Sequence, residues 1–285
     1  MGILERTLTS PVEHQTLVDA HFQAAAVYWK EIYERHDLLA VIHRERRAMV
    51  LELVDKLGLH PESHVLEIGC GAGVTTVDLA RRGYYVQAVD TVGPMLNLTR
   101  QLATETGVED RVITSQGDVH DLAFPDNTFS LVLAIGLAPW LHSLNKAMQE
   151  MARVLKPGGS LIVTADNRWR LNHVLDPRLF PTLESARRQL RQAVEEFGLR
   201  KPTPRRPRAH RCSTREFDKL LSAVGLQKEG GTTFGFGPFS LFGHRILPDS
   251  IGVKLQYRLQ SLSDRGFPAF RSTGAQYMVL ARKPA

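Results

Sequence analysis

The chain has 285 residues, of which 43% are hydrophobic, and it carries a formal net charge of +6. This length suits one large domain or a core domain with additions, and the apolar content excludes an intrinsically disordered chain. No apolar run approaches the roughly 20 residues that span a bilayer, and the N-terminus has no signal-peptide pattern. The two cysteines, Cys70 and Cys212, provide no disulfide framework and fit a reducing compartment, so we expect a cytoplasmic protein.

The first 60 residues contain two amphipathic helical patterns. Apolar residues recur at helical spacing from Val18 to Ile32, and a second apolar stripe follows over about 38–57. Both patterns precede the first predicted strand, so they are an addition to the domain that follows. Because the first stripe must be buried somewhere, we expect residues 1–60 to form a helical lid over a main domain of residues 61–285.

From Val65 onward, short apolar runs alternate with helical patterns. The predicted strands are HVLEI, YYVQAV, RVITSQ, SLVLAI and SLIVTA, with helices at about 74–82, 94–106 and 143–155 between them. Alternating strands and helices predict a doubly wound α/β domain. Its sheet is parallel, has helices on both faces and is connected by right-handed crossovers.

Beyond Ala165 the alternation loosens, and two longer segments interrupt it. The first segment, residues 166–213, contains a polar helical pattern. The second, residues 234–274, contains an amphipathic helix over 249–264 whose inward face carries Ile251, Leu255, Leu259 and Leu262. A helix with a capping box and the strand LQKEGGTTF lie between the two segments, and the strand AQYMVLARK follows them.

Two stretches of these segments allow two interpretations each. A basic run without acids but with three prolines is either a solvated loop or a flexible flap for an anionic group. A Phe-rich stretch is either a plug of the core or an apolar wall for a lipid-like or aromatic ligand. The basic residues are Arg200, Lys201, Arg205, Arg206, Arg208 and Arg211, and the aromatic residues are Phe234, Phe236, Phe239 and Phe242.

The stretch HVLEIGCGAGV places three glycines directly after the first predicted strand. Gly69, Gly71 and Gly73 alternate with small residues, and Glu67 precedes them. Ligands of doubly wound sheets bind outside the carboxyl ends of the strands, and glycines there let a ligand approach the backbone. A tight turn without a ligand would use the same residues, so the glycines alone leave both interpretations open.

Two acids at later strand ends favour a nucleoside ligand. Asp90 ends the second strand, where a carboxylate can accept both ribose hydroxyls, and Asp118 ends the third, near the expected adenine edge. The turn does not match a dinucleotide fingerprint, because Val74 or Thr76 stands where the third glycine belongs. A carboxylate below the turn also suits a ligand that carries an ammonium and a sulfonium group.

Four ordered motifs, VLEIGCGAG, VDTVGPML, GDVHDLAFPDNTFSLVLA and EMARVLKPGG, lie within about residues 65–165. Together they resemble the class I S-adenosylmethionine-dependent methyltransferases, in particular the ubiquinone/menaquinone-type small-molecule group. The resemblance implies a Rossmann-like fold with a seven-stranded sheet whose last strand, residues 275–283, runs antiparallel. It also implies methyl transfer from S-adenosylmethionine to a small-molecule or lipid-like acceptor, with S-adenosylhomocysteine as product. The segments 166–213 and 234–274, inserted after strands five and six, would then lie on the acceptor side.

The resemblance further implies which residues bind the cofactor. The stretch AAAVYW is similar to the Ala-x-x-Tyr-Asp motif of the group, which places Tyr28 over the methionine carboxylate. The implied residues are Glu67, Gly69, Cys70 and Gly71 at the methionine, Ile135 and Gly136 at the sulfonium, Asp90, Thr91 and Met95 at the ribose and adenosine, and Asp118 and Val119 at the adenine. Cys70 is interpreted as a small residue of the turn rather than a nucleophile.

Methyl transfer is an in-line displacement that needs a general base only for acceptors that must lose a proton. The candidate bases are His142, after the fourth strand, and Asp166, at the end of the fifth. Each has an alternative: His142 could simply start a helix, and Asp166 could cap the next segment. Arg168 and Arg170 could bind an anionic acceptor or lie on the surface. No histidine or cysteine cluster has metal-binding spacing, so no metal site is predicted.

Two other functions fit parts of the sequence. The domain could bind the nucleoside without catalysis, as a partner or regulator, or the basic run could direct it to RNA. Nucleic-acid amino-methyltransferases have Asn or Asp at the first position of a motif that here reads LAPW, and Leu137 stands in that place. We therefore expect a small or amphiphilic acceptor rather than a nucleic acid, and the basic run makes an anionic acceptor attractive.

Overall fold

A computed structural model describes residues 10–196, 207, 209–242 and 244–285. The helices are α1 Pro11–Ala24, α2 Ala26–Glu31, α3 Leu38–Leu57, α4 Val74–Arg81, α5 Gly93–Glu105, α6 Leu144–Val154, α7 Leu171–Leu175, α8 Glu184–Glu196, α9 Thr214–Ala223, α10 Asp249–Asp264 and α11 Pro268–Arg271. The strands are β1 His64–Ile68, β2 Tyr85–Asp90, β3 Val112–Gln116, β4 Phe129–Ala134, β5 Leu155–Asp166, β6 Gln227–Phe234, β7 Ser240–Leu241, β8 His244–Arg245 and β9 Gln276–Arg282.

Seven of the strands form one sheet in the order β3-β2-β1-β4-β5-β9-β6. The first five strands pair in parallel, and β9 runs antiparallel to both of its neighbours, β5 and β6. The predicted Rossmann-like sheet with an antiparallel last strand is therefore confirmed. The strand order reverses between β1 and β4, which creates the crevice in which such sheets bind their ligands.

Helices cover both faces of the sheet with separate apolar layers. One layer joins α6 and α9 to the sheet through Met148, Met151 and Phe217, all almost completely buried. The other joins α3 and α4 to the opposite face, where Val50 and Leu79 are fully buried. The C-terminal half of α3 thus belongs to the core of the main domain, while its N-terminal half reaches the carboxyl ends of the strands.

The two long segments take the positions that the chain order gives them. Helices α7, α8 and α9 lie between β5 and β6, and a hairpin of β7 and β8 with α10 and α11 lies between β6 and β9. Arg211 is described, whereas the other residues of the basic run, 200–206 and 208, lie outside the described residues. None of the helices that the structure describes is long and apolar enough to cross a membrane.

The inward face predicted for α10 is wrong at one residue. Ile251 is 51% exposed, whereas Leu259 is buried as predicted, together with Gly252 and Gln256. Gln256 replaces an apolar contact with hydrogen bonds, because its side chain accepts the Phe236 N–H and donates to the carboxylate of Glu45. A buried polar residue of this kind is invisible to a prediction based on apolar periodicity.

In the Phe-rich stretch, Phe234 and Phe236 are buried, as expected for a core plug. Phe242 behaves differently, because half of its surface is exposed at the hairpin between β7 and β8. None of the four Phe side chains of this stretch, all of which are described, lines the cavity described below. The stretch therefore contributes to packing at its start and to the protein surface at its end.

Candidate functional site

A cavity of about 400 Å³ opens at the carboxyl ends of β1, β2, β4 and β5. Most of the site residues predicted from the sequence line this cavity. The predicted residues that line it are Glu67, Gly69, Cys70, Gly71, Asp90, Thr91, Met95, Asp118, Val119, Ile135, Gly136 and Asp166. Tyr28 and His142, both described, do not line it.

The glycine turn after β1 adopts a left-handed backbone. Gly69, Gly71 and Gly73 have φ values of 71°, 56° and 80°, a region that residues with a side chain rarely enter. A Cβ on Gly73 would lie 2.8 Å from the backbone of Thr99, so this glycine allows α4 to approach α5. A Cβ on Gly71 would meet nothing within 4 Å, so the backbone there borders open space. The turn thus exposes main chain to the cavity.

Asp90, at the end of β2, holds the glycine turn in place. Its carboxylate accepts the N–H of Gly71 at 3.0 Å and the N–H of Val92 at 2.9 Å. Burial raises the pKa of Asp90, while these two hydrogen bonds oppose the rise. A carboxylate has about four acceptor positions, so Asp90 retains capacity for ribose hydroxyls while it anchors the turn.

Glu67 lies beneath the turn and is 4% exposed. It accepts a short hydrogen bond from the hydroxyl of Thr76. Burial raises the pKa of Glu67 to about 8, and the nearby carboxylates of Asp78 and Asp90 add to the rise. A cation placed next to this side chain would favour its ionised form, so the cavity is suited to a positively charged ligand at this end.

Asp118 and two histidines form a compact group at the β3 end of the site. The Asp118 carboxylate accepts from His120 Nδ1 at 2.6 Å and from the His120 N–H at 2.9 Å, and these bonds lower its pKa. The ring of His142 stacks on that of His120, with 3.5 Å between centroids. The ligand atoms of all three side chains lie within 4.8 Å of one another, which is a spacing that a metal ion could use. Both nitrogens of His120 already have partners, however, because Nε2 accepts the N–H of Ser143.

His142, a candidate base for the acceptor, lies outside the cavity lining and beside His120. The loop after β4 carries it back towards β3, so it lies beside His120 and Asp118 instead of over β5. Burial and the neighbouring His120 lower the pKa of His142. Its place is the expected adenine end of the site, away from the acceptor side on which the sequence had placed it.

Helix α1 spans the cavity and contacts both of its rims. On the β2 side, Asp19 accepts from the Thr91 hydroxyl at 2.7 Å, and Gln15 donates to Asp19 at 2.7 Å. On the β4 side, His21 stacks on Trp140, with 5.5 Å between ring centroids, and Phe22 meets the same ring edge-on. These contacts are the geometry expected of a lid, and the lid function itself stays a prediction.

On the short helix α2, Trp29 rather than Tyr28 lines the cavity. Consecutive helical residues point about 100° apart, so the two aromatic rings cannot face the same space. Tyr28 instead lies under the guanidinium of Arg35, 5.4 Å from its ring centroid. The indole nitrogen of Trp29 is buried without a hydrogen-bond acceptor among the described residues. Tyr28 thus lies outside the cavity lining, and Trp29 has an unsatisfied donor among the described residues.

A second polar group lies at the β5 end of the cavity. Asp166 forms an ion pair with Arg170 at 2.6 Å and accepts from Gln276 Nε2 at 3.3 Å. Gln276 also connects this group to α3, because its Oε1 accepts a hydrogen bond from Arg46 at 3.4 Å. Arg46 also donates to His43 Nδ1 at 2.9 Å. The group therefore joins α3, β5 and β9 around one end of the cavity.

Arg46 is a buried cation without an acidic partner in the described part of the chain. Only 9% of it is exposed, and its two hydrogen-bond partners are both neutral. His43 stays uncharged because burial, reinforced by Arg46, lowers its pKa to about 3. The guanidinium lies so close to Gly136 that a Cβ there would be 2.9 Å from it. A buried guanidinium that faces a cavity is an anion-binding feature.

Sequence patterns gave no sign of His43, Arg46 or Gln276. All three are single polar residues within helical or strand patterns, and their proximity depends on the pairing of β9 with β5. The hydrogen bond between Arg46 and Gln276 joins residues 230 positions apart. The one available signal was that α3 carries His43 and Arg46 on the turn that precedes its apolar half.

Comparisons with known proteins agree with this geometry. Residues 66–163 match the family model described as a methyltransferase domain. This part of the chain is a methyltransferase domain. With its fold, it belongs to the class I type that uses S-adenosylmethionine as cofactor.

Two curated relatives and one solved structure illustrate the similarity. The chain is 37% identical over 124 residues to a demethylmenaquinone methyltransferase of Lactiplantibacillus plantarum. This alignment covers 42% of this chain and 51% of that protein. It is 32% identical over 117 residues to the sterol 4-C-methyltransferase strm-1 of Caenorhabditis elegans. This alignment covers 41% of this chain and 35% of that protein. Magnesium protoporphyrin IX methyltransferase from Synechocystis PCC 6803 with bound SAH is 15% identical, with a TM-score of 0.62 over 95% of this chain and 99% of that one.

The matched part of the chain spans between 35% and 51% of these curated relatives' length, and the structural likeness shows the fold. The cavity of the methyltransferase domain fits S-adenosylmethionine on its own chemistry. Bare backbone at Gly71 borders open space, the carboxyl groups of Glu67 and Asp90 have raised pKa values, and the indole N–H of Trp29 needs an acceptor. A ligand with a ribose, two cationic groups and a carboxylate meets all of these requirements.

Proposed function

We propose that the chain transfers the methyl group of S-adenosylmethionine to a small acceptor that has an apolar body and one anionic group. The observation that carries the proposal is the continuity of the cavity. One end offers the glycine turn with Glu67 and Asp90, and the other offers Arg46 and Asp166. Gly136, at the end of β4, lies between these ends, where the resemblance places the sulfonium.

The cofactor end of the cavity binds and orients S-adenosylmethionine. Asp90 would bind the ribose hydroxyls, Asp118 the adenine edge, and Glu67 the cationic part of the methionine. When bound, S-adenosylmethionine supplies an electrophilic methyl group, so the protein needs mainly to align the acceptor and exclude water. Helix α1 excludes water, because it closes the space between Thr91 and Trp140.

The acceptor end combines an apolar wall with two cations. Phe22, Tyr33 and Ile42 provide apolar surface on the lid side, and Arg46 and Arg170 stand at the β5 end. Arg170 is neutralised by Asp166, whereas Arg46 is not paired with an acid among the described residues. An acceptor with a carboxylate, phosphate or enolate group next to an aromatic or lipid-like body complements this surface.

Arg46 also explains how an anion helps the reaction. A guanidinium near the sulfonium position repels it, since both groups are positive. A bound anion between them removes the repulsion and would itself be held next to the transferable methyl group. Either the methionine carboxylate or the acceptor's own anion can take this place, and the two sources are separated by the Arg46 experiment in the Discussion.

Asp166 is the candidate for a proton acceptor at this end. Its carboxylate lines the cavity and is fixed by Arg170 and Gln276, which leaves lone pairs free for an acceptor proton. His43 cannot serve in the same way at Nε2. Its Nδ1 accepts from Arg46, so Nε2 carries the proton and can only donate.

The test has two stages. Calorimetry with S-adenosylmethionine establishes cofactor binding, and formation of S-adenosylhomocysteine in the presence of extract metabolites and lipids establishes transfer. Mass spectrometry then identifies the product that has gained a methyl group. Binding without any transfer would point to a non-catalytic partner or regulator, and inhibition by tRNA competing with the acceptor would point to an RNA substrate. Tighter binding of NAD than of S-adenosylmethionine would contradict the proposal.

A further inference from the structure

The segments after β5 form a surface that differs from the rest of the protein in both apolarity and charge. Eleven of the sixteen large apolar side chains that are exposed in the described chain lie between residues 167 and 275. The described residues of this range also hold 15 Lys and Arg against 9 Asp and Glu, whereas the remaining described residues hold 15 against 20. Exposed apolar side chains and excess positive charge therefore coincide in one part of the fold.

A continuous part of this region is built from α7 and the residues that follow it, the β7–β8 hairpin and the first ten residues of α10. Apart from Val174 and Tyr257, its exposed large apolar residues are Leu175, Leu241, Phe242, Ile246 and Ile251, and its exposed cationic residues are Arg178, Arg245, Lys254 and Arg258. We call these nine residues the docking surface.

Direct contacts hold the three elements of the docking surface together. Arg178 donates to the Phe242 carbonyl oxygen at 2.7 Å, and its guanidinium lies 6.0 Å from the centre of the Phe242 ring. This joins the segment after α7 to the hairpin. An ion pair between Arg245 and Asp249 joins the hairpin to the start of α10. The exposed side chains are thus carried on elements that are fixed relative to one another.

The docking surface begins where the wall of the cavity ends. Arg170 lines the cavity, and α7 starts at the next residue, Leu171. Gly237 and Pro238 also line the cavity, and β7 starts two residues later, at Ser240. Leu241, the first residue of the docking surface on the hairpin, follows Pro238 by three residues, which span at most about 11 Å, so the surface lies near the acceptor end of the cavity.

We propose that the docking surface binds the face of an anionic lipid bilayer. Phe242, Ile246 and Leu175 would enter the region between headgroups and acyl chains, and the cationic side chains would contact anionic headgroups. A nucleic acid would engage the cations but leave the exposed aliphatic side chains in water, so the bilayer uses more of what the surface offers. The inference rests on the proposed function for its purpose, because docking would bring a lipid-like acceptor to the cavity.

The experiment is a flotation assay of the full chain with lipid vesicles. Vesicles of phosphatidylcholine alone are compared with vesicles that also contain phosphatidylglycerol, at low and at high salt. We expect binding to the anionic vesicles, weaker binding to the neutral ones, and partial release by salt, because charge attraction is screened over about 8 Å at physiological ionic strength. Absence of binding to anionic vesicles at low salt would overturn the proposal.

Two variants test the two components of the surface separately. The triple variant Leu175→Ser, Phe242→Ser, Ile246→Ser should bind anionic vesicles at least about tenfold more weakly, because three apolar insertions are lost. The double variant Lys254→Glu, Arg258→Glu changes only exposed side chains of α10 and should also reduce binding about tenfold or more, with a smaller salt dependence. Undiminished binding by both variants would contradict the proposed surface.

Matched controls lie on the opposite end of the sheet. Ile113→Ser removes an apolar side chain of β3 that is 67% exposed, and Arg81→Glu reverses an exposed charge on α4. Neither should alter vesicle binding. Calorimetry with S-adenosylmethionine, without vesicles, shows that each variant is folded and also reports on the proposed function independently. If light scattering instead reveals a dimer that the triple variant dissociates, the surface is an interface between two copies of the chain and the bilayer proposal falls.

Discussion

Replacing Arg46 by Met should weaken ligand binding, whereas its effects on stability oppose each other. Met retains most of the apolar stem, so the change removes the charge with little loss of packing volume. The guanidinium is buried and has no acidic partner in the described chain, and replacing a buried ion pair by apolar groups is often neutral or stabilises proteins by about 1–4 kcal/mol. The lost hydrogen bonds to His43 and Gln276 involve a charged group and cost about 1.5–3 kcal/mol each, so the two effects oppose each other and we expect no large gain in stability.

The loss of ligand binding in the Met variant is estimated separately from the change in stability. A hydrogen bond to a charged partner contributes about 1.5–3 kcal/mol, which corresponds to roughly a 10- to 150-fold change in an equilibrium constant. Thermal unfolding measures the stability, calorimetry measures the Kd of S-adenosylmethionine, and initial rates measure the KM of the acceptor. A raised Kd assigns the methionine carboxylate to Arg46, and a raised KM with unchanged Kd assigns the acceptor's anion to it.

Arg46→Lys is the matched control for this prediction. It keeps the charge but loses the planar fork that reaches both His43 and Gln276. We expect no gain in stability and an intermediate loss of binding. A Met variant that is less stable than the wild type and binds both ligands normally would show that Arg46 is a structural residue, and would refute the anion-binding interpretation.

Three further predictions concern the cofactor end and the lid. Asp90→Ala removes the acceptor of two backbone N–H groups as well as the expected ribose ligand, so cofactor binding and the free energy of unfolding should each fall by about 1–3 kcal/mol; calorimetry showing an unchanged Kd would refute the ribose assignment. Glu67 is mostly protonated at pH 7 in the free protein because its pKa is raised to about 8, and a bound cation would ionise it. The complex then holds fewer protons than the free protein, so affinity should rise with pH up to about 8; calorimetry in two buffers of different ionisation enthalpy should detect release of roughly one proton, which Glu67→Gln abolishes. Asp19→Ala breaks the contact of α1 with Thr91 and should speed cofactor dissociation about five- to tenfold in stopped-flow measurements, whereas Gln23→Ala, exposed on the same helix, should not; equal rates for both variants would argue against a lid.

The sequence predicted which residues of the glycine turn and the strand ends would meet at one cavity, because their determinants are local. A strand, three glycines and an acid at the next strand end specify a turn and its ligand within about 25 residues, and Glu67, Gly71 and Asp90 line one cavity as expected. The neighbouring helix position was harder. Tyr28 and Trp29 are adjacent in sequence, and only the rotation of α2 in the fold shows that Trp29 faces the cavity.

The acceptor end could not be predicted in the same way, because no local pattern encodes it. Arg46 comes from a helix before the first strand and Gln276 from the last strand, and they meet only because β9 inserts between β5 and β6. The position of His142 was hard to predict for a related reason. The path of a loop determines which side of the site its residues reach, and apolar periodicity contains no information about that path.

The contacts of α1 with both rims have a consequence for the order of events in a catalytic cycle. Thr91, which holds one side of α1, is the residue next to Asp90, and Trp140, which holds the other, follows the strand end where Gly136 lies. If α1 acts as the predicted lid, a cofactor that tightens either strand end also tightens the closure over itself. On the proposed function, cofactor and acceptor share one chamber beneath α1, so the spent cofactor would leave only after the helix has released a rim. We expect the release of α1 to limit the rate of turnover. The protection of residues 11–24 from proteolysis should then increase with the occupancy of the cavity by cofactor and acceptor.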